Sequence, residues 1–188
     1  MGCDIHLYKE KKVNGEWVTA DEWEQDDCCG LDVPYEKQFS IRDYDLFGFL
    51  AGVRRGHEFS LVPTGIPEDT CKNVKSCYDY WEGDAHSASS ITLESLKWHW
   101  ANLSGKTITV SGMKDTEGLN KLARSVMSKE DTDWDLLYPY CAWAKHDRYE
   151  EFSIDVPCHF KLCNIETLIK LFDGVDAEEC RIVFWFDN

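Results

Sequence analysis

The sequence holds no apolar run long enough to span a bilayer and no leader of the charged-then-apolar kind. Both absences predict a cytoplasmic chain, with no membrane partner. The opening Met1-Gly2 would suit myristoylation, but that motif wants Ser or Thr where His6 stands. Positive charge is also scarce: 20 Lys and Arg face 35 Asp and Glu, a formal charge of −15. Such a field repels phosphate backbones and anionic membranes, which argues against bulk nucleic-acid binding.

Several chemical signatures are missing as well. No C-x-x-C pair exists, which removes the common zinc-ribbon and thioredoxin patterns. The nine cysteines are odd in number, and Cys28 adjoins Cys29, so reduced thiols fit better than a disulfide framework. A Walker A loop, a G-x-G-x-x-G turn and a G-x-S-x-G elbow are all absent, and the usual nucleotide and hydrolase fingerprints go with them. Neither an internal repeat nor a Ser/Gly/Pro linker divides the chain, which predicts one domain over residues 1–188.

What is present reads as a folded globule, with 43% hydrophobic and 13% aromatic residues, eight of them tryptophan. Asn14-Gly15 suits the positive φ angles of a two-residue hairpin turn, so strands are expected over 3–10 and 16–20. On the first, Asp4, His6 and Tyr8 alternate with Cys3, Ile5 and Leu7, giving one face of ligating groups and one apolar face. From Asp21 to Pro34 the acidic "EQDDCCG" segment lacks periodicity and reads as a surface loop. Leu46, Phe49, Leu50 and Val53 predict a helix that Asp43 caps and Gly56 stops.

A second helix is expected from Pro67 to Trp81, followed by an irregular "EGDAHSASS". Thr92 would cap "LESLKWHWANL", with Leu93, Leu96, Trp100 and Leu103 as its core stripe. Further along, "KTITVSG" and "EFSIDVPCHF" read as strands, and "EGLNKLARSVMSK" and "NIETLIKLFDG" as helices. "CRIVFWFDN" closes the chain as a β-rich run. The order predicts an α+β fold: a mainly antiparallel sheet that begins with the N-terminal hairpin and is covered by helices.

Two segments carry the same pair of chemical groups, "CDIH" and "GDAHS". Together Asp4, His6, Asp84 and His86 offer nitrogen and oxygen ligands for one divalent metal ion, which could activate water for phosphoester hydrolysis. Each histidine can equally be a half-buried structural group bonded to a carboxylate. The D-x-H start also resembles that of metallophosphoesterases, but it runs straight into a hairpin and no later G-N-H or G-H-x-H segment follows, which rejects that fold. Around His86, the hydroxyls of Ser87, Ser89 and Ser90 stand ahead of a helix start, an arrangement that receives anions. Arg42, Arg54 and Arg55 flank the first helix and could fork onto a phosphate, Arg42 alternatively pairing with Asp43 or Asp45. Tyr44, Tyr80, Trp81 and Trp98 could stack on a base or simply fill the core.

The segments "MGCDIH", "RDYDLFGFLAGVR", "GIPED", "DAHSASSIT" and "VFWFDN" together resemble a family of small bacteriophage and prophage proteins that open M-G-C-D-I-H and carry an H-S-x-S loop. Members typically show R-N-Y-x-L-F, G-L-P-x-D and H-S-H-S-W-L-T at corresponding places. The resemblance marks Asp4, His6, Arg42, Tyr44, Asp84, His86, Ser87, Ser89 and Thr92. It departs at Ala88, where a second histidine is common, and at Ser90-Ile91, where Trp-Leu is common. It implies a phage context and no particular reaction.

The leading expectation is therefore a cytoplasmic protein of an infected bacterial host that binds a small phosphorylated ligand, and by sequestering a nucleotide immune signal counters defence. His6, Arg42, Tyr44, His86, Ser87 and Ser89 would form its site. A metal-dependent phosphoester hydrolase built on Asp4, His6, Asp84 and His86 is the alternative. A further one is an inhibitor that docks its acidic surface, from Asp21 to Asp32, on a host protein.

Overall fold

In a computed structural model, residues 2–26, 30–81, 83–114 and 150–187 are described. They divide into two compact units, one of residues 1–102 with 162–188 and one of residues 103–161. Each is taken by itself.

The larger unit is built on a four-stranded antiparallel sheet in the order β2-β1-β8-β5. Its first hairpin pairs β1 (Asp4–Val13) with β2 (Glu16–Thr19). Asn14 at φ 52° and Gly15 at φ 83° supply the left-handed pair such a turn requires. The central strand is β8 (Cys180–Asp187), which pairs with β1 from Asp4↔Asp187 to Lys11↔Cys180, and on its other side with β5 (His86–Thr92). Only its last residue escapes full burial, and this explains why "CRIVFWF" reads as a nearly continuous apolar run.

The fold is α+β, with helices on both faces of this sheet. One face takes α2 (Lys72–Tyr80), whose Val74 and Cys77 pack with Tyr8, Val183 and Trp185. On the other, α1 (Tyr44–Ala51) sets Phe47 edge-on to Phe186 at 5.0 Å. Two more helices follow in this unit, α3 (Leu93–Asn102) and one over Asn164–Lys170. Leu46, Phe47, Phe49, Leu50, Leu96, Ile165 and Leu168 are at most 1% exposed. Each contributes roughly 1.5–3 kcal/mol of burial, which makes this the dominant stabilising mass.

Local chemistry accounts for most boundaries. Asp43 accepts from the Asp45 and Leu46 amides and starts α1 as expected, and Thr92 receives the Ser95 amide at the start of α3. Three expectations are corrected. First, α1 stops at Ala51, not near Gly56, because Gly52 adopts φ 68° and its amide closes back on Gly48. Second, α2 begins five residues after Pro67, since residues 67–71 are spent on a turn and a contact with β1. Third, the Asp21–Pro34 segment holds two short strands, β3 (Glu24–Asp26) and β4 (Gly30–Asp32), that pair with each other.

The smaller unit contains an antiparallel pair, β6 (Thr107–Lys114) and β7 (Glu150–Pro157), followed by a single helical turn at Cys158–Lys161. Both strands are as expected except that the second, read over "EFSIDVPCHF", gives way to the helical turn after Pro157. The helix expected over "EGLNKLARSVMSK" lies outside the described residues.

Candidate ligand site at the end of the central sheet

Three strand ends meet at one edge of the larger unit: the start of β1, the end of β8 and the start of β5. Most of the expected site residues lie here. Asp187 closes β8 opposite Asp4, so its carboxylate receives the Asp4 amide at 3.2 Å and sits 3.2 Å from His6 Nε2. The His6 ring is held between two indoles, tilted on Trp81 at 4.3 Å and stacked on Trp185 at 5.6 Å. Packing fixes its plane, and Asp187 fixes its Nε2.

Beside it, Arg42 lays a bidentate fork on Asp4, Nε at 2.8 Å and Nη2 at 2.6 Å from Oδ1. Arg42 thus pairs with Asp4, across 38 residues, and not with Asp43 or Asp45. The fork lies flat against Gly2, where an added Cβ would come within 3.0 Å of Nη1. Arg54 reaches the same residue from the other helix end, and its Nη2 donates to the Gly2 carbonyl at 2.9 Å. Two guanidinium groups of a strongly acidic chain therefore meet on Gly2. The pKa of Arg42 is held up mainly by its bond to Asp4, while the Tyr44 ring packs on Phe47 at 5.7 Å. Arg55 belongs elsewhere and pairs with Asp45 at 3.2 Å.

The neighbouring thiol is not an activated nucleophile. Cys3 is fully buried, and burial pushes its pKa up against the opposing pull of Arg54.

The second expected segment folds differently from its expected irregular form. "HSASSIT" is strand β5, not an irregular loop ahead of a helix, so its hydroxyls alternate between faces. A bulge lies between His86 and Ser89, with Ser87 at φ 51°. His86 is the Cα partner of Phe186 and stacks over that ring at 6.0 Å, whereas His6 is the partner of Trp185. Adjacent positions on β8 point to opposite faces, so the two histidines lie on opposite sides of the sheet.

The consequences for the expected site are specific. His86 Nδ1 meets Ser87 Oγ at 3.1 Å, and Ser89 is spent on Thr64, whose amide and hydroxyl lie 3.4 and 3.3 Å away. Asp84 is exposed in the turn after α2, its amide bonded to the Trp81 carbonyl. Asp4, His6, Asp84 and His86 do not converge on one point. Among the described residues no group of three or more His, Cys, Asp or Glu is placed to hold a metal ion.

The structure thus brings together Asp4, His6 and Arg42, and leaves Tyr44 on Phe47 and His86, Ser87 and Ser89 on other business. It adds Asp187 and Trp185, and of the arginines and aromatic residues considered more loosely it draws in Arg54 and Trp81. Asp187 was visible only as a carboxylate after an aromatic run, and nothing local announces a pairing 181 residues back along the chain. No family model, curated protein or solved structure matches this chain. No helix among the described residues is long and apolar enough to cross a membrane.

Proposed function

We propose that this protein binds a small phosphorylated ligand at the sheet end, with the phosphate on Arg42 and Arg54 beside His6. The observation that supports the reading is the meeting of the two guanidinium groups on Gly2. Phosphate oxygens suit such forks, and the Arg42–Asp4 pair is half exposed, so water screens it and a phosphate can exchange with the carboxylate. His6 is oriented by Asp187 through Nε2, and as an imidazolium beside a phosphate its Nδ1–H can donate to a third oxygen.

A nucleotide is the favoured class within this reading. Tyr80 is 59% exposed and stands edge-on to Trp81 at 6.1 Å, an aromatic surface adjoining His6 on which a base can stack. In the phage context implied by the sequence resemblance, retention of a nucleotide signal in the host cytoplasm, without turnover, would blunt a defence response.

Calorimetric titration with a panel of linear and cyclic nucleotides tests this. At least one should bind saturably, and Arg42→Ala and Arg54→Ala should each weaken it tenfold or more. Absence of heat across the panel, or binding unmoved by both variants, would overturn the reading.

A further inference from the structure

The guanidinium fork at the sheet end already has an occupant. Arg42 Nε and Nη2 both donate to Asp4 Oδ1, at 2.8 and 2.6 Å, and Nη2 also reaches Oδ2. These two nitrogens form the edge on which a phosphate would be held in bidentate fashion. An oxyanion that takes this edge must therefore displace a carboxylate of the same chain.

Asp4 is placed so that it can leave. It is the first residue of β1, its side chain is half exposed, and among the described residues Arg42 is the one side chain that bonds its carboxylate. The strand end stays anchored without that carboxylate, because the Asp4 amide donates to Asp187 Oδ1 at 3.2 Å. While Asp4 stays, it and Asp187 offset the charges of Arg42 and Arg54.

This exchange restricts the ligand. A phosphodiester carries a single negative charge, which only matches the carboxylate it would replace, and the carboxylate has the advantage of its tether. A phosphomonoester carries close to two charges near neutral pH and three acceptor oxygens. It can take the Arg42 fork, meet Arg54 beside Gly2 and accept from Nδ1–H of a protonated His6.

We infer that Asp4 is a resident competitor within the site, and that the ligand able to displace it ends in a phosphomonoester, not a cyclic or internal phosphodiester. The inference rests on the phosphate reading of this site and narrows it.

The test titrates the full chain by calorimetry with the 5′-monophosphates of adenosine, guanosine, cytidine and uridine, and with the matching 3′,5′-cyclic monophosphates. At least one monoester should bind at least about tenfold more tightly than its cyclic partner. Asp4→Asn should bind that monoester about threefold or more tightly than the parent. In an Arg42→Ala background the same substitution should leave affinity unchanged, whereas a carboxylate that merely sits nearby would weaken the ligand with or without the fork. A cyclic nucleotide that binds as well as its monoester, or an Asp4→Asn variant that binds no tighter than the parent, overturns this inference and leaves the phosphate site standing. Equal gains from Asp4→Asn in both backgrounds overturn the competitor role in the same way. If no monophosphate binds while another nucleotide does, this inference alone falls; if no nucleotide binds, the reading of the site falls with it.

Discussion

His6 and His86 share one end of the central sheet but not one face of it: His6 lies beside Trp185, and His86 beside the next residue, Phe186. The two imidazoles therefore act in separate surroundings, one between indoles against Asp187 and one over a phenyl ring. A double-mutant cycle of His6→Ala and His86→Ala in urea should give a coupling energy below about 0.5 kcal/mol. Only His6→Ala should weaken a bound nucleotide. Coupling above about 1 kcal/mol, or equal losses of binding, would mean that the two rings serve one site.

Gly2 determines where Arg42 can lie. In Gly2→Ala the new methyl meets the guanidinium at 3.0–3.2 Å, and the fork must tilt off the backbone. Nucleotide affinity should fall while the melting temperature stays within a few degrees of the parent. A variant that binds unchanged would show that the fork's seat on Gly2 is irrelevant to recognition.

Gly48 is constrained far more tightly, within α1. An added Cβ would come 1.8 Å from the carbonyl oxygen of Arg55, which is main chain and cannot swing aside. Gly48→Ala should destabilise the fold by at least about 3 kcal/mol in denaturant titration. A loss under about 1 kcal/mol would show that the 52–55 turn moves freely.

Glu10, fully buried in β1, accepts from Arg181 Nε at 2.6 Å and from the Cys71 amide at 2.7 Å, which ties the start of α2 to the sheet. Glu10→Gln leaves the Arg181 guanidinium without its buried countercharge and should cost about 3–5 kcal/mol. Replacing both partners, Glu10→Leu with Arg181→Met, should cost clearly less than Glu10→Gln alone, since no charge is then stranded. Equal costs would mean that the pair's packing, not its charge, holds the helix.

Acid should weaken the fold partly through His57 and His99. Burial lowers both pKa values below the ordinary 6.5, because the charged ring is disfavoured there. The unfolded chain then takes up protons first, so stability rises with pH through this window. Their contribution is fully present above about pH 6.5 and is lost as pH falls through the lowered folded values. A His57→Gln, His99→Gln double variant should show a shallower loss between pH 7.5 and 5 than the parent. Parallel curves would remove both groups from the account.

Local chemistry in the sequence determined much of the fold. Asn14-Gly15 set the hairpin, Asp43 and Thr92 set two helix starts, and the β-rich run at the end of the chain announced β8. The resemblance marked Asp4, His6 and Arg42, but in one set with Tyr44, Asp84, His86, Ser87, Ser89 and Thr92, which the structure does not gather with them. The hydroxyl-rich "HSASSIT" has little intrinsic preference for a strand, and only its pairing with β8 makes it one. Which face each histidine takes was likewise beyond local reading, because a register shift of one residue turns every side chain over. Tertiary structure alone set that register and the bulge at Ser87, and brought Asp187 to His6 and Arg42 and Arg54 to Gly2. Contacts between residues so distant in the chain leave no local trace, because no periodicity or capping preference records a partner across the sheet.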